Sequence, residues 1–494
     1  MVLLAVVGLT GGSARADWPM YRGPGGDGIA RQPIRTNWTE QPPVLLWRKP
    51  LTNGLSSVAV SAGRVFTQVR QGGALNGTEI CVALDAATGN QLWASPVGLA
   101  RYPDGGVGGD DGPRSTPAVG GDRVYVLGSY LTLHCFDAAT GETIWSKDLR
   151  AELGAEVIPW QNAASPLIEG DLLLLNGNAA PNRVLAVRTS DGSIAWRLHN
   201  EAMTHATPVP ATIHGVRQVV FWTQSGLLSV DPQTGTALWR FPVRYSTSSA
   251  ASPVVDGDTV FCSAAYNTGA NAARITRTGD TFTATARWPR RSSRPIHWST
   301  PVVVDGFVYG LFELPNALGC LSLATGEDRW FESGFGYGAT LLVNGKILAL
   351  AESGDVVLVE PDPNQYREID RFRAVNSRCW NSPALSEGVL YVRSTTELAA
   401  FDLSVAVAAP LRLSASHDAA AGRIRFEVTS TDGQPIDSSR AARIAIVQSD
   451  DLTRPLAEWG ISPVSLTLEG GVLRAELPIA TDPAARYYLV REQQ

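Results

Sequence analysis

The residues best placed to do chemistry each stand just ahead of a recurring small-residue–proline step. They are Arg114, Trp160, Asn162, His205, His297, Trp298, Tyr337, Trp380 and Asn381. Imidazoles, indoles, amides, a phenol and a guanidinium can hydrogen-bond and stack. Gathered in one place, they suit a planar or sugar-like ligand, or a peptide loop. The same side chains could instead fill a channel and satisfy one another. A single histidine such as His205 or His297 is more often a structural donor than a base. Asp104, Asp110 and Asp111 in the loop YPDGGVGGDDGPR could hold a hard cation such as Ca²⁺, against the simpler reading of a surface loop. The basic run RWPRRSSR (287–294) reads as a solvated loop. Cys81, Cys135, Cys262, Cys320 and Cys379 include no adjacent pair and no CxxC, and are expected to be buried thiols.

Repetition decides whether these residues can meet. DAATGNQLW (85–93) recurs as DAATGETIW (137–145) and DPQTGTALW (231–239). Weaker copies are TSDGSIAW (189–196), LATGEDRW (323–330) and the longer hairpin TGDTFTATARW (278–288). With PVLLW (43–47), the closing tryptophans are Trp47, Trp93, Trp145, Trp196, Trp239, Trp288 and Trp330, at intervals of 42 to 52 residues. That is the period of a four-stranded propeller blade. Each tryptophan is assigned a structural role, packing on the neighbouring blade with its indole N–H on a backbone carbonyl.

A second motif runs out of phase with the first: a small residue and Pro, an apolar run, Gly, and another apolar run. Its eight copies begin near 57, 115, 165, 207, 252, 300, 340 and 382. Each reads as two strands joined by a tight turn; all but the copies at Ser57 and Thr340 put proline at a strand start, where its missing N–H costs little. After 382 only one further strand follows, ELAAFDL, whereas PVLLW is a closing strand without a blade. The two complete each other, which removes free sheet edges. The expected fold is all-β: an eight-bladed propeller over 44–403, its last blade closed by the N-terminal strand.

The AxDxxTGxxxW repeat resembles that of the quinoprotein-like propellers, from about Trp18 to Leu403. The opening WPMYRGPGGDG (18–28) is similar to a subgroup of secreted bacterial proteins beginning WPxxRGPxGxG. In architecture the chain also resembles the propeller subunit of the outer-membrane barrel-assembly machinery. Quinone dehydrogenases of this class imply a disulfide between adjacent cysteines, Ca²⁺ held by Glu, Asn and Asp, and an Asp base. The cysteine pair is missing, and the Ca²⁺ ligands do not map onto matching positions. The resemblance therefore implies a non-catalytic binding or assembly scaffold, with no cofactor expected. The alternative is a dehydrogenase for alcohols or sugars using pyrroloquinoline quinone (PQQ) with Ca²⁺ in a divergent pocket.

Residues 1–16 read as a signal peptide, an apolar run followed by Ala-Arg-Ala, so the protein is expected to be exported to the periplasm or beyond. Residues 17–43 lack strand alternation and are expected to pack across one face of the disc. Residues 411–494 alternate like a small β-sandwich, similar to C-terminal modules of secreted bacterial proteins. The net charge of −6 gives no electrostatic case for nucleic acid. No apolar stretch is long enough to span a bilayer. The expected partner is a protein or saccharide at the channel mouth of a monomer.

Overall fold

A computed structural model describes residues 17–103, 111–405, 411–418, 420–455, 458–478 and 486–492. The expected signal peptide lies outside them. The DxxTG turn builds itself from local hydrogen bonds. Asp85 Oδ1 accepts from the Ala87 and Thr88 backbone N–H groups, at 3.2 and 2.8 Å, and from the Thr88 hydroxyl at 2.8 Å. Gly89 then takes φ +68°, where a side chain would be strained.

Gly89 has a second reason to be glycine. A Cβ there would lie 2.6 Å from the Trp47 ring. The same relation holds for Gly141 under Trp93, Gly192 under Trp145, Gly235 under Trp196 and Gly326 under Trp288. The repeat is thus a lock between sheets: these five tryptophans each lie on the turn glycine of the next sheet. Each Nε1 donates to the carbonyl of the residue three positions before that glycine, as Trp47 does to Ala86 (2.8 Å) and Trp93 to Ala138 (3.1 Å). Trp145, Trp196 and Trp288 follow suit, whereas Trp330 donates to the Asp362 carbonyl in a turn that has no glycine. Trp239 departs from the expectation and donates to Gln218 Oε1 in its own sheet, at 2.6 Å. The hairpin it faces turns through Gly279 and Asp280 with no DxxTG shelf.

This lock makes a prediction within one sheet. Gly141 and Gly121 both have positive φ, but nothing lies within 4 Å of a Cβ at Gly121. Alanine should cost about 1–2 kcal/mol at either for the backbone alone. Gly141→Ala should lose about 1–3 kcal/mol more by crowding Trp93, read as a lower urea midpoint.

Among the described residues, eight sheets carry the repeat, seven of them built on four consecutive antiparallel strands from the axis outward and the eighth on three such strands and one from the N-terminal side. The first comprises Ala59–Ser61, Arg64–Gln71, Gly77–Asp85 and Gln91–Ala100. The last joins Ala384–Ser386, Val389–Arg393 and Glu397–Asp402 to Val44–Pro50, with Trp47 opposite Ala400. Second and third strands are buried on both sides, because each sheet is sandwiched between two neighbours. At the axis, the small residues that lead into the first strands fasten one sheet to the next. Ser57 N–H donates to Thr116 Oγ1, Thr116 N–H to Ser165 Oγ, and Ser165 N–H to Thr207 Oγ1. Ser382 N–H donates to Ser57 Oγ at 2.8 Å, across the seam where the ring closes. The fold is a β-propeller.

The segment after residue 17 does more than cross a face. It hydrogen-bonds the inner edges of the ring. Trp18 pairs with Val60, Pro19 O accepts from Val119 N–H, and Ile29–Ala30 adds a parallel strand beside Ala339–Val343. Arg22 is fully enclosed. Its guanidinium donates to the carbonyls of Thr300, Thr340, Pro301 and Asp27 at 2.9–3.0 Å. Gly23 leaves room for the Trp18 ring and Gly28 for the guanidinium, which accounts for those glycines of WPMYRGPGGDG.

The basic run is not simply solvated. Arg291 and Arg294 pair with Asp328 of the following sheet, and Arg294 lies over Phe331. They add to the link that Trp288 makes between the same two sheets. All five cysteines are free and buried.

Residues from 406 onward form a separate unit. One sheet contains Leu411–Asp418, Arg423–Ser430, Val472–Pro478 and Thr467–Glu469; the other contains Gly460–Ile461, Ile444–Ser449 and Tyr487–Glu492. Phe426 and Ala475 from the first meet Ile446 from the second in one core, a β-sandwich arrangement.

Candidate functional site

A strand that begins at the small-residue–proline step runs away from one end of the ring. Two sets of loops therefore meet at that end: those leading into first strands, and those joining second to third strands. There they surround a cavity of about 320 Å³. Seven of the nine residues singled out from the sequence line it: Arg114, Trp160, His205, His297, Trp298, Trp380 and Asn381. Tyr337 stands behind the wall against Trp298, with ring centroids 4.9 Å apart. Asn162 is not on the wall. Its side chain is consumed by a local turn, bonding the N–H and carbonyl of Ala164.

Other lining residues were not singled out. Tyr21 reaches the cavity from the N-terminal segment, and Tyr266 from the turn after Thr259–Ala264. Tyr266 and Asn267 both have positive φ, which aims that turn. The tyrosine in a segment without alternation was a usable signal for Tyr21. The second set of loops carried no motif.

The two sides of the mouth differ. On one side His297, Trp298, Tyr337 and Trp380 pack together, Trp298 and Trp380 having centroids 4.4 Å apart and planes tilted by 49°. Trp380 Nε1 donates to Glu352 at 2.8 Å, and Arg378 covers one of its faces. On the other side Arg114 pairs with buried Asp111 at 2.6 Å and donates to the Trp160 carbonyl. That pair answers the cation reading for Asp111, whose carboxylate is engaged; Asp104 and Asp110 lie outside the described residues. Among the described residues, no group of three or more His, Cys, Asp or Glu is placed to hold a metal ion.

His205 donates from Nε2 to the Pro159 carbonyl (2.8 Å) and accepts at Nδ1 from Ser248 Oγ (2.9 Å). A serine on an imidazole is the contact a nucleophile would make. Here, however, a carbonyl stands where a triad has a carboxylate, and burial pushes the His205 pKa down to about 4. The imidazole is neutral and a weak base, so the contact reads as structural.

The shift has a stability consequence. Above pH 6.5 His205 is neutral whether folded or unfolded. As pH falls from 6.5 towards 4, only the unfolded chain takes up the proton, so stability is lost across that window. The loss is about 3 kcal/mol. A His205→Asn variant should show a flatter decline in urea midpoint between pH 6.5 and 4.

A family model described as outer membrane protein assembly factor BamB matches residues 76–332, just over half of the chain. The chain belongs to this family. The BamB of Moranella endobia (strain PCIT) is 27% identical over 267 residues, 51% of this chain. The chain spans only 65% of that relative's length. Among solved structures, BamB from Moraxella catarrhalis superposes with a TM-score of 0.52 at 16% identity, covering 73% of this chain and 97% of that one. Quinohemoprotein alcohol dehydrogenase from Comamonas testosteroni gives 0.56 at 12% identity, covering 82% and 84%. These two likenesses are of fold. The family match stops short of the propeller's last two sheets, and those supply Tyr337, Trp380 and Asn381.

Proposed function

We propose that this member of the BamB family is an exported, non-catalytic binding scaffold that works through the mouth of its propeller. The observation that carries the reading is the state of the mouth's reactive groups. His205 is hydrogen-bonded at both nitrogens, Arg114 is paired with Asp111, and Trp380 is tied to Glu352. Such groups hold a shape and offer surface; they do not supply a free base or nucleophile. The assembly role in the relatives' name favours a protein partner on the outer face of these loops. No helix among the described residues is long and apolar enough to cross a membrane, which is compatible with export.

The residues do not fit a calcium-bound quinone of the dehydrogenase kind. Trp298 and Trp380 are tilted, so they do not form a parallel-walled slot. The cysteines are separate and free, which leaves no disulfide platform. The test is direct. Purified protein titrated with PQQ and Ca²⁺ should show no stoichiometric binding and no dye reduction with alcohols or sugars. Stoichiometric binding with turnover would replace the scaffold by the dehydrogenase.

A further inference from the structure

We propose that the axial cavity binds the end of a neutral saccharide. The inference rests on the mouth being a binding site and names what fits inside it. Four observations converge. Tyr21 and the segment carrying Arg22 close the axis on the inner side, so the cavity takes a chain end or a small molecule. One arc of its wall is aromatic, with Tyr266, His297, Trp298 and Trp380. The other arc offers polar groups, with Arg114, His205 and Ser248.

The third observation is charge. Arg114 is neutralised by Asp111, and among the described lining residues no carboxylate appears. An ionic guest would find no counter-charge. The fourth is a pair of enclosed polar atoms, on two residues of the wall, without a hydrogen-bond partner: the acceptor Asn381 Oδ1 and the donor Trp298 Nε1. Both atoms are enclosed, so a guest reaches them only when these side chains turn toward the cavity. A hydroxyl can serve the donor and the acceptor alike. A pyranose carries such hydroxyls around its rim and an apolar C–H face that lies against an indole. The volume is at the lower end of the range for small-ligand sites, enough for a short end group.

The test is a titration of the full chain with methyl glucoside, methyl N-acetylglucosaminide, maltose and cellobiose at millimolar concentration. Tryptophan fluorescence and saturation-transfer NMR give the readout. Glucuronate and glucosamine serve as charged analogues. Saturable binding of at least one neutral sugar is expected, tighter than either charged analogue. Trp298→Ala should weaken it about tenfold. Tyr266→Ala, which removes a more exposed ring, should also weaken it and guards against loss of fold at Trp298. Absence of saturable binding, preference for a charged analogue, or unchanged binding in both variants overturns the proposal. If sugars bind and are also oxidised or hydrolysed, the saccharide site stands and the non-catalytic reading falls. If sugars neither bind nor react, the saccharide site falls and the scaffold reading stands.

Discussion

Replacing Arg22 by alanine should lower the stability of the propeller by about 3–5 kcal/mol. Few single substitutions reach that range, and those that do act through buried polar networks or large voids. Arg22 combines both. Its guanidinium serves four carbonyls, from its own segment and from the starts of two neighbouring inner strands. Alanine would strand those acceptors and leave a hole beside Gly28. Arg22→Lys should recover only part of the loss, because one ammonium cannot span the same fork of acceptors. Urea denaturation of the three proteins checks the ranking. A wild-type midpoint for Arg22→Ala would show that the ring stands without its axial segment.

The second large effect is expected at Trp47. Trp47→Ala should cost about 3–5 kcal/mol, as buried tryptophans do. Trp145→Ala should cost less, since Trp145 is only half-buried. Trp47 has an added burden. Its strand closes the ring, and its ring plane covers Gly89 of the first sheet. Loosening it exposes the edge of Glu397–Asp402, an invitation to intermolecular pairing. Light scattering near the unfolding midpoint should therefore rise for Trp47→Ala and not for Trp145→Ala. Equal midpoints and equal scattering would mean that closure rests elsewhere.

The repeat made the propeller legible because its signals are local. Aspartate, threonine and glycine build a turn from neighbours within five residues, and tryptophan follows at a set distance. The closing strand was legible by elimination, since one hairpin lacked a partner and one strand lacked a hairpin. What the local pattern could not give was the destination of each side chain. Trp239 has the same repeat as Trp93 yet bonds Gln218, because the partner turn lies in another repeat and is of another type. Asn162 sits in line with the mouth residues but is spent on Ala164. Tyr21 reaches the cavity from a segment without any period. Arg22 looked like part of a family tag, and only the three-dimensional arrangement shows it gathering carbonyls. Motif position located the rim of the cavity; its floor and its second set of loops came from contacts distant in sequence.

Arg48 and Glu397 stand 349 residues apart in the chain and 2.8 Å apart in space. Most of the ring is made of hairpins that can form as soon as their own residues are available, but this pairing must wait for nearly all of them. Such non-local pairing is slow. The cavity inherits the delay, because its wall draws on residues from Tyr21 to Ser382. A partly built ring has sheets but no cup. If the cavity binds a ligand as proposed, affinity should therefore appear all at once during refolding, when the seam shuts, and a bound ligand would mark a finished molecule.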